Sequence, residues 1–446
     1  MSLPSPHVIN HEPGTGAGYP ERLKGFVESF DMPVAGASGK YRLFYASNPS
    51  SALCAALCAA VEPKDDATDV LLLQSDFYTG DNLQEYEIVM QALASVHDWD
   101  AVGFCKEISR ALEYTGRRAP FKSRWARLFA EIKDARQVNR TIQQLLAGVE
   151  AADNHRARTG RIDIDELWVD APTVLTHYFF ARHRRAKKVL FPHAPAIFWG
   201  KINPFFTTYD GPPGAAVKLK RKFLETLTGV LPAGLAPRFM IKRVVFDKAF
   251  TFSPESYLAR QVVNLPLDLL RGVLRDAFAQ LPPEAQEYYS KLGLTDEQGR
   301  RPSILFLPTG SERPGDFEPE MDALVHLLNV TGEVRGGGAV IVKPHPRASE
   351  YQVNCFAEAL QQRLPQIDFR MIRKWATIPI EVVVSEWNVT CCLGLMTNAI
   401  TTMNWLFQTP AYCPVDALYK MYAGDPVWIR ELDNFLDFGS QYIIPV

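Results

Sequence analysis

The chain has 446 residues, more than one ordinary hydrophobic core accommodates, so two domains are expected. Hydrophobic residues make up 47% and charged residues 22%, which excludes an intrinsically disordered protein. The net charge of −2 excludes recruitment of nucleic acid by an overall basic field, so any bound anion must be held by a local cluster.

The cysteines and the termini bear on the compartment. There are seven cysteines, and no second Cys/His pair accompanies Cys54 and Cys58 to complete a zinc site. Buried free thiols are expected, which favours a reducing compartment. No signal peptide is evident at the N-terminus, and no apolar stretch reaches the roughly 18 residues of a membrane span. The sequence therefore predicts a cytoplasmic protein, and it leaves open contact with the inner face of a membrane.

The first half of the chain predicts a Rossmann-like domain over residues 40–295, preceded by a flexible arm over 1–39 that is rich in Pro, Gly and Ser. Apolar runs predict strands at 41–46, 69–74, 102–105, 166–170 and 188–191, and small residues predict a helix over 51–61. Residues 106–155 have helical periodicity and predict an insert. A last strand at 244–246 and helices over 254–300 are expected to complete this half.

The second half repeats the α/β alternation. Strands are predicted at 303–307, 339–342, 369–372, 389–393 and 411–413, with helices at 319–329 and 351–364. We assign residues 296–415 to a second Rossmann-like domain and 416–446 to a tail, for which packing against the first domain is one option. The expected architecture is α/β, with two Rossmann-like domains facing each other across a cleft.

The most specific motif is Lys343-Pro344-His345-Pro346-Arg347, which directly follows a predicted strand. Ligands of doubly wound sheets bind at the carboxyl ends of strands, and three cationic side chains crowded there suit a phosphate. Two prolines stiffen the turn around the histidine. The alternative is a surface turn whose charges are incidental.

Three further segments follow strands in the same half. A helix opening near Asn398 places hydroxyl side chains beside free N–H groups, which suits an anion and equally suits an ordinary N-cap. The loop 307–315 allows close backbone approach to a ligand. A carboxylate at Glu381 is placed to hold a ribose. The residues predicted to bind the donor are Lys343, His345, Pro346, Arg347, Thr309, Gly310, Ser311, Glu381, Thr397, Asn398, Thr401 and Thr402.

These segments resemble the bacterial sialyltransferase and polysialyltransferase families, through the His-Pro motif at 345–346 and the Thr-rich motif at 397–402. The resemblance is good over about 300–415 and thin in the N-terminal half. It implies a GT-B fold, a CMP-activated nonulosonic acid as donor and no metal. It further implies that His345 contacts the donor phosphate and assists its departure, and that Thr397, Thr401 and Thr402 bind the same phosphate.

The general base is where the sequence departs from that family, which has an acidic pair followed by glycine after a strand of the first domain. Here the corresponding place has His193 and no carboxylate. Histidine is competent for proton abstraction near neutral pH. We favour His193, with Asp210 and Asp170 as alternatives.

The sequence thus predicts an inverting, metal-independent glycosyltransferase that needs no cofactor. It would move a sialic acid-like sugar or Kdo from a CMP-sugar to a bacterial surface glycan or glycolipid. Basic runs at 182–188 and 218–222 would suit such an anionic acceptor. A histidine in the first domain with a Lys-x-His-Pro turn in the second is also similar to polyol-phosphate polymerases that use CDP-glycerol. A third hypothesis is an inactive GT-B-like protein that binds a glycan.

Overall fold

The structure is a computed structural model, and it shows two parallel β-sheets flanked by helices. It describes residues 40–74 apart from 63 and 65, 83–105, 164–170, 176, 183, 185–194, 246–252, 259–293, 303–308, 321–329 apart from 323 and 327, 339–350 apart from 347 and 349, 351–387, 389–424 apart from 396, and 429–445 apart from 430, 431, 434, 437 and 438.

The first sheet has seven parallel strands in the order β3-β2-β1-β4-β5-β6-β7. Because the strand order reverses between β1 and β4, the loops after these strands leave in opposite directions and open a crevice at their carboxyl ends. The strands are β1 (Tyr41–Ala46), β2 (Thr68–Gln74), β3 (Ala101–Cys105), β4 (Glu166–Val169), β5 (Lys187–Leu190), β6 (Phe246–Thr251) and β7 (Ala259–Asn264).

The helices of this half are α1 (Pro49–Val61), α2 (Leu83–Ala94), α3 (Leu267–Gln280) and α4 (Pro283–Gly293). Helix α1 begins sharply because Asn48 and Ser51 form a capping box, in which each side chain accepts from the other residue's backbone N–H. Nearly every side chain of α1 is buried. Its small residues let sheet and neighbouring helices approach it from all sides, so α1 lies inside the molecule.

The second sheet has six parallel strands in the order β10-β9-β8-β11-β12-β13, and its order reverses between β8 and β11. The strands are β8 (Ser303–Leu307), β9 (Ala339–Val342), β10 (Phe369–Met371), β11 (Val389–Gly394), β12 (Ala411–Cys413) and β13 (Ile444–Pro445). The helices are α5 (Glu350–Arg363), α6 (Ile380–Val383), α7 (Asn398–Phe407) and α8 (Val415–Tyr422), and a 3₁₀ turn spans Val384–Glu386.

Both sheets have the doubly wound strand order, which confirms the expected α/β architecture of two Rossmann-like halves. One part of the prediction was wrong: the strand at Phe246 does not close the first sheet, because β7 follows it within the segment that was predicted to be helical. The predicted helical insert lies outside the described residues. Of the tail, Ile444–Pro445 pairs with β12 in the second sheet, and the domain limits themselves stay a prediction.

The two halves share one hydrophobic cluster that runs from β1 and α1 through α3 and α4 to α6 and α7. Hydrogen bonds cross the same seam. The hydroxyl of Tyr289 donates to the carbonyl of Trp375 at 2.8 Å, and the indole of Trp387 donates to the carbonyl of Tyr289 at 2.9 Å. Arg271 donates two bonds to the carbonyl of Leu406. Helices α3 and α4 therefore join the two sheets.

None of the helices in the described part of the chain is both long enough and apolar enough to cross a membrane. The six cysteines whose side chains are described are all free thiols, and five of them are buried.

Candidate functional site

Four polar side chains meet at the carboxyl edge of the first sheet. Ser47 and Asn48 follow β1, Asp170 follows β4, and His193 lies three residues beyond β5. Strand β4 pairs with β1 on one side and β5 on the other, so the three loops emerge side by side. Residues far apart in sequence are therefore brought together beside the strand-order reversal, where this type of sheet binds ligands.

Asp170 is the centre of this cluster. One of its carboxylate oxygens accepts from the backbone N–H of Ser47 at 3.1 Å, from the Ser47 hydroxyl at 2.6 Å and from Nδ1 of His193 at 2.9 Å. The side chain is only 1% exposed. Burial alone raises the pKa of Asp170, but the hydrogen bonds from His193 and Ser47 and the His193 charge more than offset it, so this pKa lies below its usual value.

His193 is held in one orientation by this carboxylate. A carboxylate can only accept, so Nδ1 of His193 carries a proton, and Nε2 is left as an acceptor. The amide of Asn48 donates to Nε2 at 2.8 Å, and its oxygen is fixed by the Ser51 backbone N–H. About a quarter of the His193 side chain is exposed. The arrangement gives an imidazole that is oriented by a buried acid, and its Nε2 can take a proton from a bound hydroxyl that replaces the Asn48 amide.

The predicted base candidates are thus not simple alternatives. His193 and Asp170 form one pair, while Asp210 lies outside the described residues. Ser47 and Asn48 complete the pair and were not among the predicted site residues. The rule that placed Asp170 at the end of a strand would also have found them, because they follow β1 in the same way.

The second sheet contributes Lys343 and His345, which follow β9. Lys343 is buried, and its ammonium group donates to the carbonyl of Ala376 at 2.8 Å. Burial lowers the pKa of Lys343 to about 8, and the nearby Glu381 carboxylate acts in the opposite direction. His345 and Pro346 are half-buried. The ammonium group of Lys343 is already largely shielded from water, so little further dehydration of the protein is needed when an anion binds beside it.

Glu381, in the first turn of α6, is buried next to this lysine. Burial raises the pKa of Glu381, while the Lys343 charge and a hydrogen bond from the Thr402 hydroxyl lower it in part. Thr401 and Thr402 are buried in α7, and Thr397 is its half-buried N-cap residue. In this structure Thr402 bonds Glu381, so the predicted roles of Glu381 toward a ribose and of the threonines toward a phosphate stay predictions.

Helix α1 contains a buried cysteine whose pKa responds to one acid from each half of the molecule. Burial raises the pKa of the Cys54 thiol in α1, and the charges of both Asp170 and Glu381 raise it further. Since Asp170 belongs to the first half and Glu381 to the second, one buried residue is close to both groups. Asp170 and Glu381, which belong to different halves, therefore both lie near Cys54 in helix α1.

Several predicted residues lie outside the described part of the chain: Thr309, Gly310, Ser311, Arg347, and the side chain of Asn398. Within the described ranges, no three His, Cys, Asp or Glu side chains converge in a way that could hold a metal ion.

Comparison with known families supports the family resemblance that was predicted for the second half. Residues 316–415 match the model of the alpha-2,8-polysialyltransferase (POLYST) family. The matched segment contains Lys343, His345, Glu381 and the 397–402 stretch, so the resemblance to the sialyltransferase and polysialyltransferase families is confirmed over these residues. No curated protein matches the chain.

Several solved structures are similar to the chain. A UDP-GlcNAc 2-epimerase from Neisseria meningitidis bound to UDP-GlcNAc is 11% identical, with 90% of each chain covered and a TM-score of 0.40. The GT-B domain of a sialyltransferase from Photobacterium damselae is 12% identical, with 90% of this chain and 97% of that chain covered and a TM-score of 0.41. An α,α-trehalose 6-phosphate synthase from Burkholderia multivorans is 10% identical, with 90% and 95% covered and a TM-score of 0.37.

Proposed function

We propose that the chain transfers a nonulosonic acid, sialic acid-like or Kdo, from a CMP-sugar to a hydroxyl of a bacterial surface glycan or glycolipid. The observation that carries the proposal is the pairing of His193 with the buried Asp170 at the edge of one sheet. The Lys343–His345 turn follows a strand of the other sheet, within the segment that matches the polysialyltransferase family model. A proton acceptor and an anion-binding turn then border one region, as transfer of an anionic leaving group requires.

The chemistry follows from these two positions. Nε2 of His193 takes the proton of the acceptor hydroxyl as its oxygen forms a bond to the anomeric carbon. The bond between that carbon and the donor phosphate oxygen breaks, and its electron pair leaves with CMP. The charge of Lys343 and a hydrogen bond from His345 stabilise the phosphate as it departs. A single displacement of this kind inverts the anomeric configuration, and neither a metal nor a cofactor has a part in it.

The acceptor in this proposal is anionic. The basic runs at 182–188 and 218–222 suit an anionic glycan or a lipid headgroup, which would place the protein at the inner face of a membrane. Most of these residues lie outside the described part of the chain.

A CDP-polyol phosphotransferase is the second candidate, because the site has a histidine rather than an acid as its base. It would also release CMP, so only a change of donor separates the two reactions. An inactive glycan-binding protein would instead bind the donor without turnover, and little would change in acceptor affinity when His193 is replaced.

Calorimetric titration with CMP, CDP, UMP and UDP tests the nucleotide part of the proposal. We expect CMP to bind most tightly and the His345→Ala variant to lose at least about tenfold in affinity, because one charge-assisted hydrogen bond to phosphate is removed. A preference for UDP, or CMP binding indifferent to His345, would overturn the CMP-sugar assignment. Incubation of the wild type with CMP-sialic acid, CMP-Kdo and CDP-glycerol, each with an acceptor, then identifies the donor.

The pH dependence of CMP binding is a second prediction, and it follows from Lys343. Its pKa is lowered to about 8 by burial, so the ammonium form that pairs with phosphate is lost as the pH rises through 8. The phosphate of CMP stays dianionic above its second pKa of about 6. We therefore expect the Kd for CMP to rise about tenfold between pH 7 and pH 9. Binding isotherms at intervals of half a pH unit measure this.

The control for this prediction is Lys343→Arg. A guanidinium group stays charged throughout the window, so the Kd of this variant should be nearly constant between pH 7 and pH 9. The window lies above the ordinary range of histidine, which keeps titration of His345 from dominating the profile. A constant Kd in the wild type would show that the Lys343 charge does not contribute to binding.

A further inference from the structure

The segment that anchors Lys343 contains a strained turn. Trp375 has a φ of 56°, in the left-handed region that a bulky side chain rarely adopts. The turn follows β10 and presents the carbonyl of the next residue, Ala376, to the ammonium group of Lys343. Strain of this kind persists only where surrounding contacts hold it, so the contacts of Trp375 show what maintains the turn.

The carbonyl of Trp375 accepts from the backbone N–H of Ile378 at 3.0 Å, which closes the turn locally, and side chains of the first half approach both backbone groups of Trp375. Its N–H faces the carboxylate of Glu85 in α2, a helix of the first half, and lowers the pKa of that carboxyl. Its carbonyl accepts from the Tyr289 hydroxyl in α4 at 2.8 Å. The Tyr288 hydroxyl accepts from the backbone N–H of Arg373 at 2.9 Å. The turn is therefore held both by its own backbone hydrogen bond and by helices that belong to the other side of the seam.

Burial of the Glu85 carboxylate costs free energy of folding, and no hydrogen bond to its Oε1 atom from the described residues offsets this cost. The Oε1 atom is buried, and no described residue bonds it. Burial raises the pKa of this carboxyl, although the Trp375 N–H and the Lys374 charge act against it. A buried acceptor without a partner destabilises a folded protein. A carboxylate that is kept at such a position, and that holds a strained turn beside the anion site, points to a functional use.

We propose that Glu85 is a positioning residue: by holding the Trp375 turn it fixes the Ala376 carbonyl that anchors Lys343 for the donor phosphate. The inference rests on the proposed function, in which Lys343 stabilises that phosphate. It adds that the first half of the molecule, which holds the base His193, also sets the geometry of the anion site in the second half. Donor binding in the second half and acceptor activation in the first half then both depend on the contact between the two halves.

A double-mutant cycle on CMP binding tests the proposal. Glu85→Ala should raise the Kd for CMP about fivefold, and it should have no further effect in a Lys343→Ala background, because both changes act through one group. Glu85→Gln keeps an acceptor for the Trp375 N–H and should stay close to the wild type. Glu87→Ala removes the same charge from a half-buried position of the same helix, and it should leave the Kd unchanged.

Two outcomes of the cycle would overturn the inference: an unchanged Kd in Glu85→Ala, or a loss that is equally large with and without Lys343. If Glu85→Ala does not fold, Tyr289→Phe serves instead, because it removes only the hydroxyl that bonds the Trp375 carbonyl. We expect that variant to weaken CMP binding in the same Lys343-dependent way, and equal CMP affinity in Tyr289→Phe and wild type would argue against the inference.

A measurement without nucleotide separates this inference from the proposed function. The acetylation rate of Lys343 by an amine reagent, read by mass spectrometry against the exposed Lys420, reports how firmly its ammonium group is anchored. We expect severalfold faster labelling of Lys343 in Glu85→Ala and no change in Glu87→Ala. If the wild type binds no CMP, the proposed function fails while this rate still decides the role of Glu85. Equal rates in wild type and Glu85→Ala would refute that role.

Discussion

Asp170→Asn should lower the rate constant of transfer about a thousandfold, the loss expected when general-base catalysis is removed. The affinity for CMP should stay within about twofold of the wild type, because Asp170 lies at the edge of the first sheet and the turn proposed to bind the phosphate lies in the second. Single-turnover assays with saturating donor and acceptor measure the rate constant, and calorimetry measures the affinity.

The reason lies in the proton on His193. In the wild type the Asp170 carboxylate accepts from Nδ1 at 2.9 Å, which keeps Nε2 unprotonated, so Nε2 can accept from the acceptor hydroxyl when that hydroxyl replaces the Asn48 amide. An asparagine of the same shape can turn its amide toward Nδ1 and donate instead. The proton then moves to Nε2, and the imidazole can no longer act as a base at that atom. The shape of the site is retained, while the proton of the imidazole moves from Nδ1 to Nε2.

The matched control is Asp165→Asn, at the opposite end of the same strand. Its carboxylate accepts from the backbone N–H of Tyr41 at 2.9 Å, so the substitution removes a charge from the same sheet without touching His193. Its transfer rate should stay near the wild-type value. His193→Ala should be as slow as Asp170→Asn, and the double variant no slower, because the two residues act as a unit. A fast Asp170→Asn enzyme would place the base elsewhere, with Asp210 as the next candidate.

Most strands could be predicted from the sequence because parallel strands buried on both faces are continuous apolar runs. Ser303–Leu307 and Ala339–Val342 are of this kind and were predicted with their observed limits. The edge of the first sheet was missed because β6 and β7 are interrupted by polar residues. Lys248 is tolerated inside β6 since it pairs with Glu62, a contact between distant segments that no local pattern reveals.

Prediction of the site residues was limited in the same way, because contacts between distant segments leave no local pattern. The rule that ligands bind after strands singled out Asp170, His193, Lys343 and Glu381 individually. It could not tell that Asp170 and His193 form a pair, because that depends on β4 and β5 being neighbours in the sheet. Glu85 carried no motif at all. Its contact with Trp375 exists only because two halves with separate sheets pack against each other, which is information held in the tertiary structure.

The second large effect is expected at the amino ends of strands β1 and β2 in the first sheet. The guanidinium group of Arg42 donates to both carboxylate oxygens of Asp69, each at 2.6 Å, and to the carbonyl of Glu62 at 3.2 Å. Both charged side chains are buried. Arg42→Ala should lower the free energy of unfolding by about 3–5 kcal/mol, because it leaves a buried carboxylate without its cation. Guanidinium-induced unfolding followed by tryptophan fluorescence measures this.

The control and the pH dependence test the cause of that loss. Arg363→Ala breaks an ion pair with the exposed Asp322 and should cost less than about 1 kcal/mol.

Burial alone raises the pKa of Asp69, but hydrogen bonds from Arg42 and His97 bring it below its usual value. A depressed pKa contributes stability that is present above the unfolded-state pKa of about 4 and is lost as the pH falls through the folded-state value. Without Arg42, burial raises the folded-state pKa of Asp69 in the variant above that in the wild type. The difference in stability between wild type and Arg42→Ala should therefore begin to narrow above about pH 4 and keep narrowing as the pH falls to the lowered pKa of Asp69 in the wild type, because protonation of Asp69 removes the buried charge first from the variant and then from the wild type. A difference that is constant with pH would assign the loss to the packing of the Arg42 side chain against Phe44 and Trp168 instead.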